Sequence, residues 1–372
     1  MPRRLTFLEF FAGGGLVRRG LEPGWRCLFA NDVSPMKCAS YRDNYGDAEL
    51  VEGSIGGLAT NDLPSETADL AWASFPCQDL SLAGARAGLS GARSGLFGEF
   101  VRLMSALRSE RRAPRALAIE NVTGLLTSNG GRDFALVASE IARLGYAVAP
   151  MVLDAADYAP QSRKRLFILG LPPAASSGAP GEAHPMTLRT AVSALPKSTA
   201  GTVNWLSPAP PPARNADLAA ILDADDGADW FGEDETSRLL RFASPATAAR
   251  IDAARAGGER TVGAAFRRMR TEGGRKVQRL EARFDGLAGC LRTPAGGSSR
   301  QLVLVIDQGA AKLRLMTPRE GARLMGLPDE HVLPARPNHA LHILGDGVCA
   351  PLAARLAETV IAPALADGAA AA

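Results

Sequence analysis

The chain has 372 residues, of which 46% are hydrophobic and 22% charged, enough for one large domain and a smaller one. Its net charge of +3 is too mild to indicate a polyanionic partner, so the distribution of charge must be read instead. Five scattered cysteines, at 27, 38, 77, 290 and 349, form no CxxC pair, which argues against a disulfide framework or a structural metal site. The apolar run near the N-terminus is too short to span a membrane and no 18-residue apolar stretch is expected elsewhere. The expectation is an intracellular protein with no metal and no membrane partner.

In chain order, residues 5–12 (LTFLEFFA) read as a buried strand entering a turn at Gly13, Gly14 and Gly15, with a helix from near Leu16. Residues 26–31 read as a second strand, and 69–75 and 115–120 as two more. Phe97, Val101, Met104 and Leu107 repeat at helical spacing within 97–110, and 133–144 forms a second amphipathic helix. Strands follow at 147–153 and 165–171. Strands alternating with helices predict an α/β fold with a doubly wound, mostly parallel sheet, whose ligands bind at the carboxyl ends of the strands. Composition changes after Pro172-Pro173, where Ala, Ser, Gly and Pro accumulate and SPAPPPA follows at 207–213. Residues 217–235 hold eight acids and no Lys or Arg, whereas 238–283 hold twelve Arg or Lys against four acids, a net of +8. Such a run is either a solvated helical face or a surface for phosphates. The tail is low in complexity and reads as frayed.

The polar motifs fall at the predicted strand ends. The turn Phe11-Ala12-Gly13-Gly14-Gly15 is followed, nineteen residues beyond Gly13, by Asp32 at the end of the second strand. An acid at that distance accepts ribose hydroxyls in nucleoside-binding α/β folds, while the absence of GxGxxG disfavours a pyrophosphate cofactor. Taken alone, Asp32 is more often a loop acid. Cys77 leaves a strand in SFPCQDLS. A buried cysteine is usually a small hydrophobe, yet thiolate beside cationic groups is a nucleophile. Glu120 ends another strand, as a helix cap or as a general acid. Arg163 and Arg165 alternate on an extended segment, which predicts two guanidinium groups on one face, or an ordinary charged strand edge.

Together FAGGG, FPCQDLS, ENV, QSRKR, LMTPREGARLMGLPD and GDGV, in this order, resemble the motifs of DNA cytosine-5 methyltransferases. The resemblance covers nearly the whole chain except roughly 174–285. It implies the S-adenosylmethionine-dependent methyltransferase fold with a smaller inserted target-recognition domain. The expected division is 1–173 catalytic, 174–338 target recognition and hinge, and 339–372 returning to the catalytic domain, with a last helix near 347–362. By resemblance, Cys77 attacks carbon 6 of a flipped cytosine, Glu120 contacts N3 and the exocyclic amine, Arg165 binds the carbonyl oxygen, and Arg163 supports the Cys77–base geometry. Phe11, Ala12, Gly13, Gly14, Gly15, Asp32, Val33, Ser54, Ile55, Pro76, Leu96, Asp346 and Val348 match contacts to S-adenosylmethionine, whose product is S-adenosylhomocysteine, with no metal. Gln78, Ser81, Arg86, Arg93, Gln161 and Cys290 are expected on the nucleic-acid side. The segment 79–96 resembles a loop that closes over DNA. Arg267, Arg268, Arg270 and Arg275 are loose candidates for guanine readers. The implied partner is duplex DNA, bound by a monomer in the bacterial cytoplasm and on the nucleoid, with a cognate restriction endonuclease as a second partner.

The chain departs from the family at four places. Ser54 stands where an Asp usually meets the adenine amine, Asp346 where an Asn is usual, Leu16 where a second glycine is usual, and Cys290 where a Thr commonly precedes Leu. The first two departures imply altered cofactor affinity, with Asp346 facing the methionine ammonium. Three alternatives stay open. RNA cytosine-5 methylation is disfavoured by the missing Cys-Phe-Thr signature. A catalytically weakened DNA-binding relative is disfavoured by the intact PCQ, ENV and QxRxR set. A nucleoside-dependent oxidoreductase rests only on the glycine turn and Asp32.

Overall fold

The computed structural model describes residues 3–76, 95–173, 178–211, 214, 216–294 and 300–370. The chain divides into two compact units. The first comprises Met1–Asp154, Lys164–Pro210 and Leu352–Ala372, and the second Ala155–Arg163 and Pro211–Pro351.

The first unit is built on a seven-stranded sheet. Its strands are β1 (Leu5–Phe10), β2 (Trp25–Asp32), β3 (Leu50–Glu52), β4 (Leu70–Ala73), β5 (Ala116–Val122), β6 (Ala147–Asp154) and β7 (Lys164–Leu171). The order is β3-β2-β1-β4-β5-β7-β6. The first five run parallel, and β7 is antiparallel to both β5 and β6. A sheet covered on both faces needs apolar side chains on both, so its strands read as continuous apolar runs rather than alternating ones. LTFLEF and LAWA are such runs, and β4 is buried throughout. The covering helices include α1 (Leu16–Leu21), α2 (Pro35–Tyr45), α3 (Leu96–Ser109) and α4 (Arg132–Arg143). On α3, Phe97, Phe100, Val101, Leu103, Met104 and Leu107 recur at three- and four-residue spacing and are buried. Phe100 meets Phe10 of β1 edge-on, with ring centroids 5.4 Å apart.

The sequence placed the end of the first domain at residue 173; the structure moves it to Pro210. The reason is apolar. Helix α5 (Met186–Ser193) turns Leu188 and Val192 into the same core as α4, and Leu195 joins them. Val203 then bridges to Val148 of β6. At the other end the return to the first unit begins at Leu352 rather than at 339. An 18-residue run within Pro337–Gly368 reaches a mean hydropathy of 1.4, contrary to the expectation of no such stretch, but 56% of that run is buried inside the protein, as in a core helix.

The second unit holds an antiparallel sheet in the order β11-β10-β8-β9, from β8 (Thr261–Glu272), β9 (Arg275–Arg283), β10 (Leu302–Asp307) and β11 (Ala310–Leu315). Leu239 of α6 (Glu233–Leu240) and Ile251 of α7 (Pro245–Ala256) pack with Leu280, Leu302, Leu304 and Leu313 in its core. The basic run 238–283 is therefore not one solvated helical face. It includes the end of α6, all of α7, and the β8–β9 hairpin. The acidic run is partly neutralised against basic residues: Asp225 pairs with Arg260 at 2.6 Å and Asp223 with Arg323 at 2.8 Å. In helix α8 (Pro318–Leu324) the TPRE residues act as one local unit. Thr317 caps the helix, Pro318 takes the first position, and Glu320 returns a bond to the Thr317 amide. Glu320 also receives the buried Arg314 guanidinium, at 2.8 Å from Nη1.

Candidate active site

In the first unit the carboxyl ends of β1, β2, β3, β4 and β5 lie along one edge of the sheet. Antiparallel β7 begins there. The strand order reverses between β1 and β4, which is where open α/β sheets bind ligands. Two segments flank this point, the turn after β1 and Ser74-Phe75-Pro76 after β4.

The turn after β1 is held in an unusual backbone. Phe11, a non-glycine, has φ 58, and its ring meets Phe75 edge-on at 6.4 Å. A bulky residue in the left-handed region carries strain that the surroundings must impose, which marks functional backbone. Gly13 shares that region, at φ 58, and a Cβ there would meet only Lys37, at 4.0 Å. At Gly15, by contrast, a Cβ would sit 2.4 Å from the Tyr45 ring, so this glycine serves packing. The Asp32 carboxylate ties turn and strand together, accepting from the Gly13 amide at 2.9 Å and from the Ser34 amide at 2.8 Å. Val33 beside it is 64% exposed, an apolar platform at the exit of β2. Ser54 is exposed and accepts from the Gly56 amide at 3.3 Å, capping a short 3-10 turn whose Ile55 is buried. Leu96 opens α3 and is half-buried, and Pro76 is exposed.

On the other side of the reversal, Glu120 of β5 is 5% exposed. Its Oε1 lies 3.1 Å from Nε of Arg165 at the start of β7. A buried carboxylate requires such a counter-charge. The next residue, Asn121, donates from Nδ2 to the Phe75 carbonyl at 3.0 Å. It fixes the segment that follows β4, two residues before Cys77. ENV thus supplies an acid and a backbone tether, and the sequence had suggested only the acid. Cys77, Gln78, Ser81, Arg86, Arg93 and the segment 79–94 lie outside the described residues.

Two expectations are corrected here. Gln161, read as a nucleic-acid contact, is wholly buried. It donates to the Leu324 carbonyl at 2.9 Å and accepts from the Leu291 amide at 3.0 Å. Arg163 is 2% exposed and gives its guanidinium to the carbonyls of Leu291 (2.9 Å), Gly345 (2.9 Å) and Gly347 (2.8 Å), and to Cys290 Sγ (3.3 Å). Arg163 and Arg165 therefore serve different partners rather than forming one paired face. GDGV gains a backbone reason: a Cβ on Gly345 would lie 2.5 Å from the Thr293 nitrogen. Asp346 is exposed at the end of α9 (Pro337–Asp346), and Val348 is buried. Strand alternation puts Arg268, Arg270 and Arg275 on one face of the β8–β9 hairpin and Arg267 on the other.

One residue without a motif stands out. Glu9 of β1 is 1% exposed, and neither carboxylate oxygen has a hydrogen-bond partner among the described residues. Burial pushes its pKa up to about 8, against the opposing charge of Arg18. Around it, Arg18 donates to Tyr41 at 2.9 Å and to Glu49 at 3.0 Å, and burial drives the Cys27 thiol up to about 12. The available signal was an acid inside an otherwise apolar strand run.

Comparison with known proteins bears on this geometry. Residues 5–362 match the model of the C-5 cytosine-specific DNA methylase family. The Type II methyltransferase M.BsuFI of Bacillus subtilis is 34% identical over 172 residues, which are 46% of this chain and 40% of that protein. The chain thus spans about two fifths of the length of the curated relatives it first matches. M.HpaII of Haemophilus parainfluenzae is 28% identical over 94% of this chain and 87% of its own length. The crystal structure of S. pombe Dnmt2 methyltransferase superposes with a TM-score of 0.60 at 16% identity, covering 97% of this chain and 99% of that one, a likeness of fold.

Proposed function

The chain belongs to the C-5 cytosine-specific DNA methylase family, and from that premise we propose that it methylates carbon 5 of cytosine within a specific duplex DNA sequence. The observation that carries this reading is the buried Glu120–Arg165 pair beside the strand end that Asn121 tethers ahead of Cys77.

Cys77 as thiolate forms a bond to carbon 6 of a base swung out of the helix. The carbon 5–carbon 6 π electrons then make carbon 5 nucleophilic. Glu120 meets N3 and the exocyclic amine and gives its proton to N3 as the ring electrons arrive there, becoming the carboxylate that Arg165 balances. Arg165 meets the base carbonyl, as the family resemblance implies. Once carbon 5 has bonded to a methyl group, loss of its proton to a base restores the carbon 5–carbon 6 double bond as the sulfur–carbon bond breaks and Cys77 leaves as thiolate. Arg163 acts at one remove, by ordering the backbone at 291, 345 and 347.

The residues present fit S-adenosylmethionine. Exposed Val33 offers an apolar face for a purine, the Asp32 carboxylate has lone pairs left for ribose hydroxyls, and open space beside Gly13 admits a ligand. When bound, that molecule supplies an electrophilic methyl group and leaves as S-adenosylhomocysteine. The second unit is read as the target-recognition unit. The chain acts as a monomer in the cytoplasm, on nucleoid DNA, with a cognate restriction endonuclease as its counterpart.

The test is transfer of labelled methyl to duplex DNA and to transfer RNA by wild type and Cys77→Ala. The expected result is label at carbon 5 of DNA cytosine, abolished by the substitution. Label on RNA alone, or on neither despite retained DNA binding, would overturn the proposal.

A further inference from the structure

The β8–β9 hairpin outgrows its sheet. Strand β10 pairs with β8 only from Thr261 to Ala265. Beyond that point Phe266–Glu272 pairs with β9 alone, through Arg275–Glu281. The two strands are joined by Gly273 and Gly274, both at positive φ (54 and 77), as a tight two-residue hairpin turn requires. Seven residue pairs at ~3.4 Å each make a ribbon of about 24 Å. A two-stranded ribbon is an element that the major groove admits.

The two faces of this ribbon differ. One carries Arg268, Arg270, Glu272, Arg275, Arg279 and Glu281, and its charges are largely spent on one another. Arg270 Nε lies 2.7 Å from Glu281, Arg268 lies 3.8 Å from the same carboxylate, and Arg279 Nε lies 2.9 Å from Glu272. Toward its tip the other face carries Arg267, Met269, Thr271, Lys276 and Gln278 and no acid of the ribbon's own, while at its base Leu280, opposite Arg267, is buried in the core of the second unit. Met269 is 52% exposed, one of few large apolar side chains so placed. Gln278 sits directly opposite it, and its amide has no hydrogen-bond partner among the described residues.

We propose that this acid-free face enters the major groove of the target duplex, with Gln278 and Met269 reading base edges and Lys276 contacting phosphate. The inference rests on the DNA-methylating activity proposed above. Charge complementarity selects the face, because the carboxylates of Glu272 and Glu281 would oppose phosphates and acceptor-rich base edges, and their arginine partners are already engaged. The side chains select the mode. A glutamine amide pairs bidentately with the N6 and N7 edge of adenine, and an apolar side chain meets the thymine methyl. A lysine near the tip reaches the backbone without sequence preference.

The test is the sequence preference of the full-length protein on a library of randomised duplexes, read by sequencing the methylated products. Gln278→Ala is expected to lower kcat/KM on the preferred sequence about 5- to 150-fold while leaving other sequences unchanged, so that preference flattens at one base pair. Met269→Ala should flatten a neighbouring position. Lys276→Ala should weaken binding to all sequences alike and reduce the salt slope by about 1. Arg270→Gln should leave the preference intact. Unchanged preferences in both Gln278→Ala and Met269→Ala, or preference lost in Arg270→Gln instead, would overturn the assignment of the reading face. A wild type that methylates no duplex would instead refute the activity, and this inference with it.

Discussion

Glu9→Gln should make the first unit more stable at alkaline pH and leave it unchanged at acid pH. The carboxyl is wholly buried, and burial raises its pKa from an ordinary 4.5 to about 8 against the opposing pull of Arg18. Between those values the unfolded chain has released the proton while the folded one retains it. Folding therefore takes up a proton, and stability falls as pH rises through that window. At 1.36 kcal/mol per unit the full span is worth up to about 5 kcal/mol. Glutamine occupies nearly the same volume and never ionises, so it lacks this dependence. Between pH 5.5 and 8.5 the stability difference between variant and wild type should widen by about 3 kcal/mol in favour of glutamine. Urea unfolding followed by the fluorescence of Trp25 and Trp72, both buried in this unit, measures it. Parallel stability curves across that range would refute the reasoning, because they would mean that Glu9 is already ionised or already solvated in the native protein.

Glu320→Gln should keep the α8 cap but strand the buried Arg314 guanidinium, at a cost of about 3–5 kcal/mol to the second unit, read by urea unfolding of Trp230 fluorescence. Ser54→Asp should tighten S-adenosylmethionine binding about 5-fold, because a charged acceptor forms the stronger bond. Asp346→Asn should also change that affinity. Isothermal titration of both variants giving wild-type affinity would remove these positions from the cofactor site.

Where sequence and structure agree, burial is the cause. Strands β1, β4 and β5 must be apolar on both faces, so they are visible as runs, and α3 and α4 show their buried stripe at helical spacing. The hairpin β8–β9 carries no such run, because beyond the Arg267–Leu280 pair, where Leu280 is still in the core, the ribbon is exposed or half-buried on both faces. Its one local signal was Gly273-Gly274 between two charged segments. The boundary at Pro210 was missed: Leu188, Val192 and Leu195 repeat at helical spacing, but they lie beyond a stretch whose composition suggested a linker. Gln161 and Arg163 could not be placed from sequence at all. A polar side chain in a motif looks like a contact residue until its partners are known, and theirs are carbonyls and amides 128 to 184 residues away. Glu120 and Arg165 were legible because the resemblance fixed their chemistry, and the structure adds that each is the other's counter-charge.

The segment QSRKR divides within itself. Gln161 and Arg163 belong to the second unit, and Arg165, two residues later, to the first. Arg163→Ala removes donors from three backbone carbonyls of the second unit. Arg165→Ala leaves the Glu120 carboxylate of the first unit buried without its counter-charge. Each loss is of the kind that costs about 3 kcal/mol, yet each should register in a different place. Native-state hydrogen exchange resolves this, since protection is lost locally in the unit that is destabilised. Arg163→Ala is expected to release amides around 291 and 345–347 while those of β5 stay protected. Arg165→Ala should do the reverse and should also stop methyl transfer when given the preferred duplex. Loss of protection in the same unit for both variants would mean that the motif acts as one structural piece, and that the division of labour between its two arginines is wrong.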